Sequence, residues 1–328
     1  MDYYDLTDQV KHVSRIGLGT WAIGGGDWGF TNESLAIETI KKAVDMGITL
    51  IDTAPVYGLG QAELTLGKAL KDIDREKVVI ATKCGLSWSD EAGVYRDSRP
   101  DTLRKEIEAS LSRMGIDYID LYQIHWPDIK TPLKETADFI NRVYDEGLIK
   151  AIGVSNFSIE QMEEWMQYAR LDTMQPSYNI LEKKLFFNPI PFAKAHSIRI
   201  LGYSALCRGL LSGKYHKDMK FDENDMRAEE DPKFQGQHFI DHLNAVDELK
   251  QYAKQFNVEV AQLAVRWVLD EGVDTALWGA RKPEQLDAVS GVFGWQLTDA
   301  QRADMEKLVE KHVPEQVDKE FLSPPYMD

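Results

Sequence analysis

Cysteine is scarce in this chain: Cys84 and Cys207 are the only two among 328 residues, too few for a disulfide framework and without a metal-binding spacing. A reducing compartment is consistent with that. Positive charge is also short, because 38 lysines and arginines face 54 acidic residues, and the net charge of −16 argues against general binding to nucleic acid or to an anionic membrane. No apolar run is long enough to cross a bilayer, and Met1-Asp2-Tyr3-Tyr4-Asp5 has no basic segment leading into an apolar one. The expectation is a soluble, cytoplasmic protein, monomeric or weakly associated, that acts on a small molecule. An anionic ligand must then be captured locally, so basic residues near glycines carry extra weight.

What is present is a repeating strand-then-helix unit in a chain whose 43% hydrophobic and 28% charged composition suits a large buried core. Tyr3 to Leu6 and Val10 to Val13 flank Thr7-Asp8-Gln9 as a small capping hairpin. Ser14 to Thr20 is a first buried strand, followed by a glycine-rich loop and a helix from Glu33 to Met46, where Ile37, Ile40 and Val44 recur at helical spacing. Strands ending near Asp52, Lys83 and His125 follow, each with its helix. Ile149–Val154, Met174-Gln175, Ile198–Tyr203 and Thr275–Trp278 complete eight. Ser158 with Gln161 is a capping box, and Pro283–Val289 and Ala300–Val309 are closing helices. The pattern predicts one α/β domain over residues 1–328, a (β/α)8 TIM barrel with a hairpin cap, a long insertion after the seventh strand and extra C-terminal helices. A doubly wound sheet is the runner-up. The insertion, Ser212 to Gln237, is expected to be a mobile lid, with its acidic run Asp222–Asp231 solvated.

Three of those strands finish on ionisable groups, and a tyrosine follows five residues after Asp52. In a parallel barrel, Asp52, Tyr57, Lys83 and His125 converge at the end where active sites sit. A phenol is a weak acid, but an adjacent ammonium favours phenolate, so Lys83 is expected to lower the pKa of Tyr57, with Asp52 aiming Lys83. Neutral His125 would orient a carbonyl oxygen. No metal site is visible to supply electrons, so a cofactor should do so. Late in the chain, Arg208 and Lys214 follow the seventh strand, and Arg281 and Lys282 follow the eighth at an expected helix start. Loops at these positions commonly bind phosphate, and helix amides would add to the charge. A dinucleotide with an extra phosphate, NADP(H), fits best.

The motifs now resemble a known family over nearly the whole chain: Gly17-Leu18-Gly19-Thr20-Trp21, Asp52-Thr53-Ala54 with Tyr57-Gly58, Ala81-Thr82-Lys83, His125-Trp126-Pro127-Asp128, Ile152–Phe157 and Arg208–Lys214. The chain is similar to the aldo-keto reductases, most of all to a bacterial NADPH-dependent branch that includes a general-stress reductase. The resemblance implies Tyr57 as acid, Asp52 and Lys83 as its tuning pair, and His125 as the carbonyl-positioning group. It implies that Ser155, Asn156 and Gln175 hold the carboxamide of the cofactor and that Tyr203 stacks on its nicotinamide. Ser204, Leu206, Arg208, Gly209, Leu211, Gly213 and Lys214 would cover the pyrophosphate. Gly19, Thr20, Trp21, Asp52, Gly279 and Ala280 would line the rest, and Arg281, Lys282 and Gln285 would meet the 2′-phosphate. The chain departs from many members by carrying Ala288-Val289 where an Asn or Glu-Asn contacts adenine.

Trp21, Trp88 and Trp126, with Tyr57 and His125, are expected to bind substrate, and Trp28 could join that wall. Trp165 and Trp267 fall in helical patterns and are assigned to packing. His238 and His242 stand four apart without a third ligand, which disfavours a metal site. The reading is an NADP(H)-dependent reductase of small aldehydes, sugar aldehydes or dicarbonyls. A cofactor-sensing regulatory subunit on the same fold is the alternative, and turnover separates the two.

Overall fold

The parallel strands are buried along nearly their whole length, as strands covered on both faces must be. The computed structural model describes residues 1–26, 28–29, 31–183, 189–315 and 322–326. Tyr3–Tyr4 (β1) and Val13–Ser14 (β2) form the N-terminal hairpin. The barrel strands are Ile16–Gly19 (β3), Leu50–Asp52 (β4), Val79–Cys84 (β5), Leu121–Ile124 (β8), Ile152–Ser155 (β9), Thr173–Gln175 (β10), Arg199–Gly202 (β11) and Thr275–Gly279 (β12). A second hairpin, Leu86–Ser89 (β6) with Gly93–Arg96 (β7), stands between β5 and β8. All eight barrel pairings are parallel, and β9 meets β10 to close the ring, so the barrel replaces the doubly wound alternative.

The predicted hairpin forms and plugs one end. Leu6, Val10 and Val13 pack with Leu50, Val79, Leu121 and Leu277, and Tyr4 Oη lies 3.0 Å from Thr275 Oγ1. This leaves the other end, where β4 and β5 finish on Asp52 and near Lys83, as the open one.

Helices Glu33–Asp45 (α1), Gln61–Leu70 (α2), Pro100–Met114 (α3), Leu133–Asp145 (α4), Ile159–Trp165 (α5) and Pro189–His196 (α6) lie along the chain between strands. Trp165 and Trp267 are fully buried, as their helical spacing implied. The expected capping box forms, with Ser158 Oγ accepting from Gln161 N–H and Gln161 Oε1 from Ser158 N–H. The β6–β7 hairpin was not anticipated. Its root is held by Glu106, whose carboxyl accepts from Gly85 N–H at 2.7 Å and Ser87 Oγ–H at 3.0 Å, and burial pushes that carboxyl up to about 8.

The expected long insertion is present, but its acidic run differs from the expectation. It contains Met226–Glu229 (α7) and leads into Gly236–Ala253 (α8), after which Val260–Glu271 (α9) precedes β12 and Asp299–His312 (α10) closes the helical set. Two acids of the run taken as solvated, Asp225 and Asp231, are buried. Asp231 accepts from Arg208 Nε, and Lys233 Nζ lies 2.9 Å from Glu182 and 3.2 Å from Asp231. Arg208 Nη2 also donates to Glu182 at 2.9 Å. Paired charge, rather than solvent, docks this segment on the barrel.

Burial alone would raise the Glu182 carboxyl, but Arg208 and Lys233 bring it down to about 2. A folded pKa below the unfolded value stabilises the protein above the unfolded value and loses that stabilisation as pH falls through it. Glu182→Gln should therefore lower unfolding free energy by about 3–5 kcal/mol at pH 7, because it leaves two buried cations sharing Asp231 as their remaining carboxylate among the described residues. Urea unfolding should show the gap to the native protein narrowing from about pH 4.5 toward pH 2.

Candidate active site

The open end of the barrel gathers the groups the strands carry. Lys83 is wholly buried, and its ammonium donates to Asp52 Oδ2 at 2.7 Å, Thr53 O at 2.9 Å and Tyr57 Oη at 3.2 Å. An ammonium has three N–H bonds, and these three contacts match them. Asp52 is steered from its other oxygen, where Gln175 Nε2 donates at 2.7 Å and Gln123 Nε2 approaches at 3.5 Å. Tyr57 is set by its loop. Gly58 lies at φ +60°, and a Cβ there would come within 1.9 Å of Gly24 O, so the loop after β4 seats directly on the loop after β3. The Tyr57 ring lies 5.8 Å from the His125 ring in an edge arrangement and 6.1 Å from Trp21. Trp28 meets Trp21 edge-on at 5.2 Å.

Electrostatics fixes the protonation of this group. Burial raises the Tyr57 phenol, and Lys83 offsets only part of the rise, so it is pushed up to about 12. This reverses the expected lowering of its pKa. Burial pulls the Lys83 ammonium down, but Asp52 and Tyr57 together more than reverse that, leaving it above its ordinary value. Burial, then the Lys83 charge, holds His125 well below the usual imidazole value. At neutral pH the site is a phenol, an ammonium and a neutral imidazole.

Beside it runs a second chain of polar contacts. Ser155 Oγ donates to Gln175 O at 2.9 Å, Asn156 Nδ2 donates to His125 O at 3.0 Å, and Tyr203 Oη donates to Asn156 Oδ1 at 2.9 Å. Thr20 donates from both N–H and Oγ to Asp52 O. Ser204 sits at φ +60°, and its buried Oγ finds no hydrogen-bond partner among the described residues. Gly19 and Gly279 pair across β3 and β12, and a Cβ at Gly279 would meet nothing within 4 Å. A buried hydroxyl without a partner among the described residues, and strand ends without side chains, suit a bound nucleotide.

Other expected contacts are rearranged. Arg208 has its guanidinium in the buried cluster with Glu182 and Asp231, turned inward rather than toward a pyrophosphate, and Leu211 is in the core. Leu206 and Gly209 are half-buried, Gly213 turns at φ +72°, and Lys214 is exposed. After β12 and the buried Ala280, the predicted helix is two short 3-10 turns, Pro283–Leu286 and Val289–Val292. The Gln285 side chain already accepts from the amides of Arg281 and Lys282, so the expected amide site is filled from within. What remains there to meet an anion is the side chains of Arg281 and Lys282 rather than their amides. Arg281 meanwhile donates to Trp28 O at 2.6 Å. Val289 is fully buried and packs in the core, so its side chain is not presented to a ligand.

Trp126 stands next to His125 with the Arg96 guanidinium 5.1 Å from its ring, whereas Trp88 is on the outer hairpin paired with Val94. His242 is buried with Nδ1 against His238 O. Sequence reasoning missed Gln123, although a lone amide two positions before His125 in an apolar strand was a usable signal. It also missed Arg96, for which no local pattern existed.

The model for the Aldo/keto reductase family matches residues 15–310. The chain belongs to that family. Aldo-keto reductase YhdN of Bacillus subtilis is 48% identical over 99% of this chain and 98% of its own length. The NADH-specific methylglyoxal reductase of Escherichia coli is 35% identical over 91% of this chain and 95% of its own length. The structure of glycerol dehydrogenase AKR11B4 from Gluconobacter oxydans matches with a TM-score of 0.85 at 45% identity, covering 97% of this chain and 96% of that one. This aldo-keto reductase is thus built for oxidoreduction of carbonyls with a nicotinamide cofactor.

A neutral His125 has a direct signature. Its imidazole nitrogen resonances should stay those of the uncharged ring from about pH 8 down to about pH 5.5. A titration centred near the ordinary imidazole value would show that burial and Lys83 do not act on it as described.

Proposed function

We propose that the protein reduces small aldehydes, sugar aldehydes or dicarbonyls with NADP(H), using Tyr57 as the proton donor. One observation carries this reading. Lys83 donates to the Tyr57 oxygen, which leaves the phenolic proton to point away from Lys83, and the neutral His125 ring stands edge-on to the Tyr57 ring at 5.8 Å. A carbonyl oxygen placed there would accept from Tyr57 and from neutral His125 together.

The residues fit a dinucleotide, which when bound supplies the hydride. Ser155, Asn156 and Gln175 would hold its carboxamide, Tyr203 would support its ring, and Ser204 would use its unpartnered hydroxyl. Arg281 and Lys282 supply local positive charge on a protein of net charge −16, which supports a 2′-phosphate. The Escherichia coli relative, named NADH-specific, makes NADH the competing cofactor.

Tyr57→Phe should cut turnover by about 10²- to 10⁴-fold while reduced cofactor still binds. Unchanged turnover would remove Tyr57 from the reaction. Arg281→Ala should weaken NADPH by about 1.5–3 kcal/mol, the usual worth of a charged hydrogen bond, and leave NADH nearly unaffected. Equal losses, measured by fluorescence titration, would mean that the 2′-phosphate lies elsewhere. Tight cofactor binding without turnover of any carbonyl would favour the regulatory reading.

A further inference from the structure

Arg96, at the end of β7, belongs to none of the motifs, yet its guanidinium makes four hydrogen bonds to the loop after β8 and to the C-terminal tail. Its side chain is buried. Nη1 donates to Pro127 O at 2.8 Å and to Tyr326 Oη at 2.7 Å, Nη2 donates to Ser323 Oγ at 2.5 Å, and Nε donates to Pro324 O at 2.9 Å. Its own amide donates to Pro325 O at 2.9 Å, so the tail lies alongside β7 as a short parallel bridge. The guanidinium also sits 5.1 Å from the Trp126 ring centroid and 4.4 Å from that of Tyr326.

These contacts join three pieces of chain: the hairpin after β5, the loop carrying Trp126 and the residues 323–326 of the tail. Glu106 fixes the hairpin at its root, and Asp97 N–H donates to Gly85 O at 3.1 Å, so Arg96 is held at a rigid point. Trp126 follows His125 directly. A planar fork is needed for this work, since an ammonium cannot present several donors in one plane while stacking between two rings.

We propose that Arg96 sets substrate selectivity by pinning the C-terminal tail and Trp126 together as one wall beside His125. It is a positioning residue, since the proposed wall rather than the guanidinium meets the substrate. The inference rests on the reductase reading above. With the wall in place a small dicarbonyl is confined next to Tyr57 and His125. With it loosened, small substrates lose their contacts and bulky aromatic aldehydes gain room.

The test uses the full chain with Arg96→Lys, which keeps the charge and loses the fork, and with Tyr326→Ala. Steady-state kinetics would be measured with methylglyoxal and with 4-nitrobenzaldehyde, and binding of reduced cofactor by fluorescence. Arg96→Lys should raise KM for methylglyoxal and raise the kcat/KM ratio of the aromatic aldehyde to methylglyoxal at least fivefold, with cofactor affinity within twofold of native. Tyr326→Ala should shift the ratio in the same direction, and the double variant should add little to Arg96→Lys, because both act on one wall. An unchanged ratio, or equal losses for both aldehydes accompanied by weaker cofactor binding, would overturn the proposal and leave Arg96 a general structural anchor. Absence of turnover in the native protein would instead refute the reductase reading on which it stands.

Discussion

The buried ion pair between Lys83 and Asp52 is the constraint to which the open end of the barrel answers. Neither charge reaches bulk water, and removing two ions from water costs several kcal/mol each unless close geometry and further hydrogen bonds compensate. Compensation here requires four strands at once. Asp52 ends β4, Lys83 lies on β5, Gln123 on β8 and Gln175 on β10, so only a closed barrel brings all four to one point. The pair is thus both a product of the topology and a check on its register, since a one-residue slip of any strand would turn its polar side chain out of the ring.

Legibility in the sequence followed the range of the interaction. Strand-ending Asp52, Lys83 and His125 were readable because each sits at a local boundary between an apolar run and a loop, and the barrel then assembles them. The capping box of Ser158 and Gln161 and the N-terminal hairpin were readable for the same reason. Arg208 was not. Its glycine-flanked setting resembles a phosphate loop, but its partners Glu182 and Asp231 lie 26 and 23 residues away, and nothing local announces them. The same pairings hid inside an acidic run that composition alone assigns to solvent. Arg96 is the extreme case, bound to Ser323 and Tyr326 across more than two hundred residues.

On a protein of net charge −16, the cations near the open end of the barrel differ in how they are paired. Arg208, Lys233 and Arg227 are spent on internal acids, and their fields are largely cancelled where they stand. Arg281 is different, since among the described residues its side chain donates to a backbone carbonyl, that of Trp28, rather than to a carboxylate. Among the described residues no carboxylate pairs with it. Trp28 also bridges to Asp225 of the insertion, so the loop after β3, the insertion and the loop after β12 meet around one cation. Occupation of that cation by a phosphate would compete with the Trp28 contact and so report on how these three loops sit.

The direction of the Tyr57 pKa changes the part that Lys83 plays in the proposed reaction. A phenol lowered toward neutrality would be partly ionised at rest and would have less proton to give. Burial instead keeps it fully protonated at pH 7, and each unit above its ordinary value corresponds to about 1.4 kcal/mol favouring the neutral form. The acceptor can afford this, because an alkoxide is a stronger base than a phenolate, so transfer becomes favourable only as charge develops on the substrate oxygen. Lys83 then acts in two ways that geometry already supports. Before transfer its N–H occupies a lone pair of the Tyr57 oxygen and turns the proton outward, and after transfer the same contact stabilises the phenolate. Asp52 and Thr53 hold the other two N–H bonds, which keeps the ammonium from serving as the donor itself.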